Sequence, residues 1–217
     1  MPKRALVEKR PFLLLSIAAA LAYYFLRDSD LGELYTTPIK GAACALLAVY
    51  ALMRHAGRDA WLIALVMALA AIADMAIEFY FRTGAAIFIA SHLAALALYL
   101  QPHNRRDTVT GSQRSAAWAL ILLTPLTGYL LTLDWTVVLY AVFLGAMAAA
   151  AWTSRFSRYH VGIGALLFVV SDLLIFARMS GASVGNLPHL LIWPTYYAGQ
   201  FLICTGVIQT LRRNHQA

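Results

Sequence analysis

The sequence predicts an all-α, polytopic membrane protein of eight transmembrane helices, built as one integral domain over 1–217. Three observations carry this. Hydrophobic residues make up 61% of the chain against 12% charged, and the mean hydropathy of +0.69 is too high for a soluble domain. Windows of about 17 to 22 mostly apolar residues, enough to cross a hydrocarbon core at about 1.5 Å per residue, recur along almost the whole chain. The intervals between them leave almost nothing for a soluble domain.

The first span, 11–27, follows Lys3, Arg4, Lys9 and Arg10 and has an Ala-rich end. That pattern also suits a cleavable signal peptide, but the run is long and seven spans follow, so it reads as an anchor. The second span, 38–54, starts after Thr37-Pro38, and the third, 60–80, carries Asp74 within Ala-Ala-Ile-Ala-Asp74-Met-Ala-Ile-Glu78. The fourth, 84–101, contains Ser91 and His92. The longest break, Gln101 to Ser115, holds Pro102, Asn104, Gly111 and three arginines, and it divides the spans into four and four. The fifth and sixth lie at 116–133 and 135–152, the seventh at 159–179 with Asp172, and the eighth at 189–210. Halves with an even number of spans enter and leave on one side, so a duplication would be a parallel 4+4 pseudo-repeat.

Basic residues favour the cytoplasmic side. With the N-terminus inside, 13 of the 17 lysines and arginines fall on that side, leaving Arg27, Lys40, Arg82 and Arg178 outside. Both termini are therefore expected in the cytoplasm, and the location is an integral membrane, the inner membrane if the cell is bacterial. The net charge of +7 then reflects topology and contact with anionic lipid headgroups. No basic stripe is interleaved with aromatics in a soluble segment, so no nucleic acid is expected. Cys44 and Cys204 lie within spans, lack CxxC spacing, and read as small core residues.

Asp74 and Asp172 are the informative residues. A carboxylate inside an apolar span costs a few kcal/mol, about 3 on insertion scales, and such residues usually line a cavity with a function. Each lies five to seven residues from the outer end of its span, roughly 8 to 10 Å below the boundary. Neither has a basic residue three or four positions away, so any partner must come from another helix.

Other polar residues share that level. Lys40 reads either as a snorkelling interfacial residue or as a headgroup ligand. His92 reads as a hydrogen-bonded core residue or a site member. Tyr196 and Tyr197 read as packing aromatics or site members, beside Gln200. Glu78 lies one turn beyond Asp74, and its default reading is an i,i+4 ion pair with Arg82. Asp74, His92, Asp172 and His189 offer metal-ligand atoms, but without HxxxH or HxxE spacing, so no metal and no cofactor is expected. A serine hydrolase lacks its GxSxG elbow.

The run Gly164-Ala-Leu-Leu-Phe-Val-Val-Ser171-Asp172-Leu-Leu-Ile, followed by Trp193-Pro-Thr-Tyr196-Tyr197-Ala-Gly-Gln200, resembles the C-terminal signature of the YhhN-like lysoplasmalogenase family. Ala73-Asp74, Pro38 and the Gly84, Phe88, His92 series resemble its N-terminal features. The chain departs from that pattern at Thr37, Ala73 and Ala95. The resemblance implies hydrolysis of the vinyl ether bond of a lysoplasmalogen to a fatty aldehyde and glycerophospho-ethanolamine or glycerophospho-choline. The chemistry needs an acid and an anion together, much as two carboxyl groups flank an oxocarbenium-like centre in glycosidases. Asp74 and Asp172 are the expected acid and base, in unassigned order. Lys40, Glu78, His92, Ser171, Tyr196, Tyr197 and Gln200 are the expected binding or orienting residues. The alkyl chain is expected between Ala-rich faces, where Ala64, Ala68, Ala71, Gly145, Ala148 and Gly162 let helices approach. The expected partners are a lysophospholipid substrate and membrane lipids. A competing class is a small transporter or lipid-binding protein that uses the same carboxylates for a proton or cation, and a third reading is a metal-dependent amidase or esterase of membrane lipids.

Overall fold

The computed structural model describes residues 11–214 and folds them into eight α-helices, so Lys3, Arg4, Lys9 and Arg10 lie outside the described residues. They are α1 (Pro11–Leu26), α2 (Glu33–Arg54), α3 (Arg58–Phe79), α4 (Phe81–Tyr99), α5 (Gly111–Thr132), α6 (Trp135–Thr153), α7 (Ile163–Met179) and α8 (Leu187–Asn214). Among the described residues there is no strand, only an isolated bridge between Arg105 and Ser154. Seven helical spans, α2 to α6, α8, and α7 together with the turn Arg158–Gly162 that leads into it, are long and apolar enough to cross a membrane; α1, at 16 residues, is shorter. The chain is thus an all-helical, multi-pass membrane protein.

Helix starts differ from the expected ones where local chemistry outweighs a breaker residue. The second helix begins at Glu33, not at Pro38, and carries the proline inside it. A proline there removes one backbone bond, to the carbonyl of Leu34 in the exposed first turn, where the loss is small. The fifth helix begins at Gly111, five residues before the expected start. Thr110 Oγ1 accepts from the Gln113 N–H at 3.4 Å while the Thr110 N–H donates to Gln113 Oε1 at 3.0 Å. That reciprocal capping box satisfies two orphan donors and starts the helix inside the expected loop. The eighth helix is longer at both ends than expected, with Pro188 in its first turn, where a proline is tolerated, and Pro194 inside it. A single π turn, Arg158–Gly162, leads into α7.

Packing partners define a ring. Neighbours in sequence pack together through α1 to α4, α4 meets α6, α6 meets α7, α7 meets α8, and α8 returns to α2 and α3. The first helix of each group of four, α1 and α5, sits outside this ring, α1 against α2 and α8 and α5 against α6 and α7. The ring order places α3 and α7 across from one another, which points the two aspartate-bearing helices at a common centre.

Two close approaches hold the ring tight. A Cβ on Gly84 would lie 2.7 Å from the Ile77 backbone, so the one-residue turn at Tyr80 between α3 and α4 requires glycine. Gly164 and Gly199 face each other across α7 and α8, each with its missing Cβ within 2.8 Å of the other's carbonyl oxygen. Removing side-chain volume lets the two backbones touch.

The small residues expected to let helices approach do so, although none of them lines the apolar groove between α4, α6 and α7. A Cβ on Gly145 would meet the Leu120 carbonyl at 2.6 Å, one on Gly162 would meet the Trp152 ring at 2.8 Å, and Ala64, Ala71 and Ala148 are buried in the core.

Candidate active site

Asp74 and Asp172 are both buried and line one cavity of about 50 Å³ together with Lys40, Phe88, Trp193 and Tyr196. That space admits a water molecule or two between the carboxyl groups. Each carboxylate accepts a hydrogen bond from a buried phenol on another helix. Tyr196 Oη on α8 donates to Asp74 Oδ2 at 2.8 Å, and Tyr140 Oη on α6 donates to Asp172 Oδ2 at 2.7 Å. Each phenol is backed in turn: Gln200 Nε2 donates to Tyr196 Oη at 3.4 Å, and His92 Nε2 lies 3.3 Å from Tyr140 Oη. Ser171 Oγ donates to the Phe168 carbonyl at 2.8 Å and lies 3.3 Å from Asp172 Oδ1. Buried carboxyl groups with partners at this geometry are held in fixed orientations.

Lys40 and Glu78 form an ion pair at the mouth of the cavity, half-covered by Tyr23 and Trp193. Tyr23 Oη adds a hydrogen bond to Glu78 at 3.3 Å. The expected Glu78–Arg82 pair is not made, because α3 ends at Phe79 and Arg82 belongs to α4. Tyr197 lies apart from the cavity: its hydroxyl is 2.8 Å from Ser16 Oγ on α1, and its ring stacks on Trp193. Ser91 is likewise turned away, donating to the Val66 carbonyl at 3.0 Å. His189 sits at the surface on Asp28, 3.1 Å away, so the four-residue metal set of Asp74, His92, Asp172 and His189 does not converge. Among the described residues no three His, Cys, Asp or Glu side chains come together as a metal site.

Two larger spaces meet at the cavity. A polar cleft of about 280 Å³ opens beyond Lys40 and Glu78 and is lined by Arg27, Asp28, Arg178 and His189. An apolar groove of about 250 Å³ runs between α4, α6 and α7, past Phe81, Ala85, Ile89, Val137 and Phe176, to Tyr140 and Asp172. Ile77 and Ile175 border the cleft, the cavity and the groove alike. Each isoleucine stands three residues after its aspartate, hence on the same helix face.

Tyr140, Trp193, Ile77 and Ile175 were not among the expected site residues. A hydroxyl in the otherwise apolar run of α6 was the available signal for Tyr140. For the isoleucines it was the repeated Asp-x-x-Ile.

A family model described as the YhhN family matches residues 35–207, most of the chain. The chain belongs to the YhhN family. The matched segment contains both aspartates, both phenols and the Lys40–Glu78 pair. Of the site described, only Tyr23, Arg27 and Asp28, on and just after α1, lie outside the YhhN match. No curated protein and no solved structure matches the chain.

Proposed function

We propose that this YhhN-family protein is a membrane hydrolase that cleaves the vinyl ether bond of a lysoplasmalogen, with Asp172 as acid and Asp74 as base. The observation that carries the reading is the meeting of a polar cleft and an apolar groove at two carboxyl groups that share one small cavity. An amphiphile placed across that junction has its headgroup in the cleft, its chain in the groove and the bond between them at the aspartates.

Position supports this choice of roles. The alkene carbon that takes the proton is on the chain side of the ether oxygen, and Asp172 is the aspartate that borders the groove. Its carboxyl proton passes to that carbon, the π pair forms the new C–H bond, and an oxygen lone pair completes an oxocarbenium ion. Asp74 takes a proton from water as the water oxygen attacks the cationic carbon. The hemiacetal then gives its hydroxyl proton to Asp172 while Asp74 returns a proton to the glycerol oxygen as the C–O bond breaks. One water is consumed, aldehyde and glycerophospholipid headgroup leave, and both aspartates regain their starting forms. General acid–base help of this kind is worth about 10²- to 10⁴-fold.

The cleft carries both signs of charge, with Arg27, Lys40, Arg178 and His189 against Asp28 and Glu78. That mixture suits a headgroup with a phosphate and an ammonium, as in ethanolamine or choline lysolipids. Because Lys40 is already paired with Glu78, and Arg27 with Asp28 at 3.5 Å, Arg178 is the better phosphate ligand.

The test is turnover. Purified protein is incubated in parallel with alkenyl, alkyl and acyl lysolipids of one headgroup, and aldehyde is measured. Aldehyde from the alkenyl lipid alone is the expected result; no product from any of them overturns the hydrolase and leaves a carrier. Tyr140→Phe removes the donor to Asp172 and is expected to lower kcat about tenfold to a hundredfold, with KM little changed. An unchanged kcat shows that the phenol does not position the acid.

A further inference from the structure

At the end of the bundle opposite the aspartates, the α4–α5 and α6–α7 connections interlock. The Arg155 N–H donates to the Asn104 carbonyl at 2.9 Å, beside the Arg105–Ser154 bridge. Behind the junction, Asp59 is buried and accepts from Asn104 Nδ2 at 2.9 Å, with His103 Nε2 at 3.0 Å. The interlock frames a cleft of about 640 Å³ lined by Arg105, Arg106, Arg155, Arg158 and His103, with Asp107 the acidic side chain on its wall.

Three of these arginines are held by their Nε atoms. Arg105 Nε donates to the Leu100 carbonyl at 3.0 Å, Arg106 Nε to the Ser154 carbonyl at 3.2 Å, and Arg155 Nε to Asn104 Oδ1 at 2.7 Å. A guanidinium tied at Nε is oriented but keeps Nη donors for another acceptor. Arg106 spends one, at 3.5 Å, on the Phe156 carbonyl, and one Arg155 Nη lies 3.8 Å from Asp59. Lysines or arginines that merely mark the topology of a membrane protein need no such tethers. Planar forks fixed in advance match the paired oxygens of a phosphate at a reduced entropic cost.

We propose that this cleft is a binding site for an anionic phosphate group, separate from the aspartate cavity. Two sources share that chemistry: the headgroup of an anionic phospholipid in the adjacent leaflet, or a free di- or polyphosphate. The volume exceeds what one phosphate fills, which favours ligands with a second anionic or polar group.

The test uses the full chain in detergent with two probes: pyrophosphate, by titration calorimetry, and phosphatidylglycerol against phosphatidylcholine, by native mass spectrometry. Saturable binding of pyrophosphate or retention of phosphatidylglycerol over phosphatidylcholine is expected, and whichever probe binds identifies the source. The paired variant Arg105→Ala with Arg158→Ala is expected to weaken binding by about tenfold or more. Arg212→Ala with Arg213→Ala, which removes two charges from the same end of the bundle at the close of α8, is expected to leave it within about twofold. Arg105→Lys with Arg158→Lys keeps the charge and the fold but not the fork, and is also expected to weaken binding. Melting without ligand confirms that each variant is folded. Binding of neither probe, equal loss in both alanine pairs, or full binding by the lysine pair overturns the proposal.

Discussion

Asp172→Asn is expected to lower aldehyde release by about 10²- to 10⁴-fold while leaving the protein inserted and monodisperse. The amide has the shape of the carboxyl group and its oxygen still accepts from Tyr140, so the α6–α7 contact survives. What is lost is a transferable proton beside the groove. Asp74→Asn is expected to lose aldehyde release to a similar degree, for a different reason. With the acid intact, proton transfer to the alkene carbon still occurs and reverses, so in D₂O this variant is expected to exchange the vinyl hydrogen while releasing little aldehyde. Asp172→Asn is expected to do neither. The opposite pattern exchanges the two roles, and full activity in either variant ends the paired-carboxyl scheme.

The second large effect is structural. Gly199→Ala puts a methyl 2.7 Å from the Gly164 carbonyl and 3.1 Å from the Phe168 nitrogen, atoms of a backbone that cannot turn aside. The helices α7 and α8 must separate, at a cost of about 1 to 3 kcal/mol, and a valine there must cost more. Asp172 is on α7, and Tyr196, the donor to Asp74, is one turn before Gly199 on α8, so the cavity opens as the helices part. Lower thermal stability and lower activity are expected together. Gly164→Ala is expected to act the same way, and the double variant to lose less than the sum, because both substitutions relieve themselves by one movement. A Gly199→Val protein that melts like the wild type shows that the contact is not needed.

The spans were legible because burial in lipid demands long apolar runs, a signal that survives without any tertiary knowledge. Their starts were less so. Pro38 and Gly111 look like breakers, yet a proline near an exposed first turn costs little, and the Thr110–Gln113 capping box outranks the glycine beside it. The aspartates stood out because an ionisable group in such a run is costly and must be compensated. Their partners did not stand out. Tyr140 lies 32 residues before Asp172 on another helix, and only the rotation of α6 turns its hydroxyl toward the carboxylate. Glu78 and Arg82 have ideal helical spacing, but the break expected between a third span ending at 80 and a fourth starting at 84 falls between them, at Tyr80. Lys40, 38 residues earlier, takes the place of Arg82. Tyr196 and Tyr197 are adjacent, so on a helix they must diverge; one meets Asp74 and the other Ser16.

Ile77 and Ile175, where the three spaces join, set up a division of traffic. In the proposed reaction the bond between headgroup and chain is cut at the aspartates, which leaves the soluble fragment on the side of the charged cleft and the aldehyde on the side of the groove. The fragments therefore depart by different doors, one toward water and one sideways into lipid. A reactive aldehyde so released stays among hydrocarbon chains, and whatever consumes it must meet it within the bilayer.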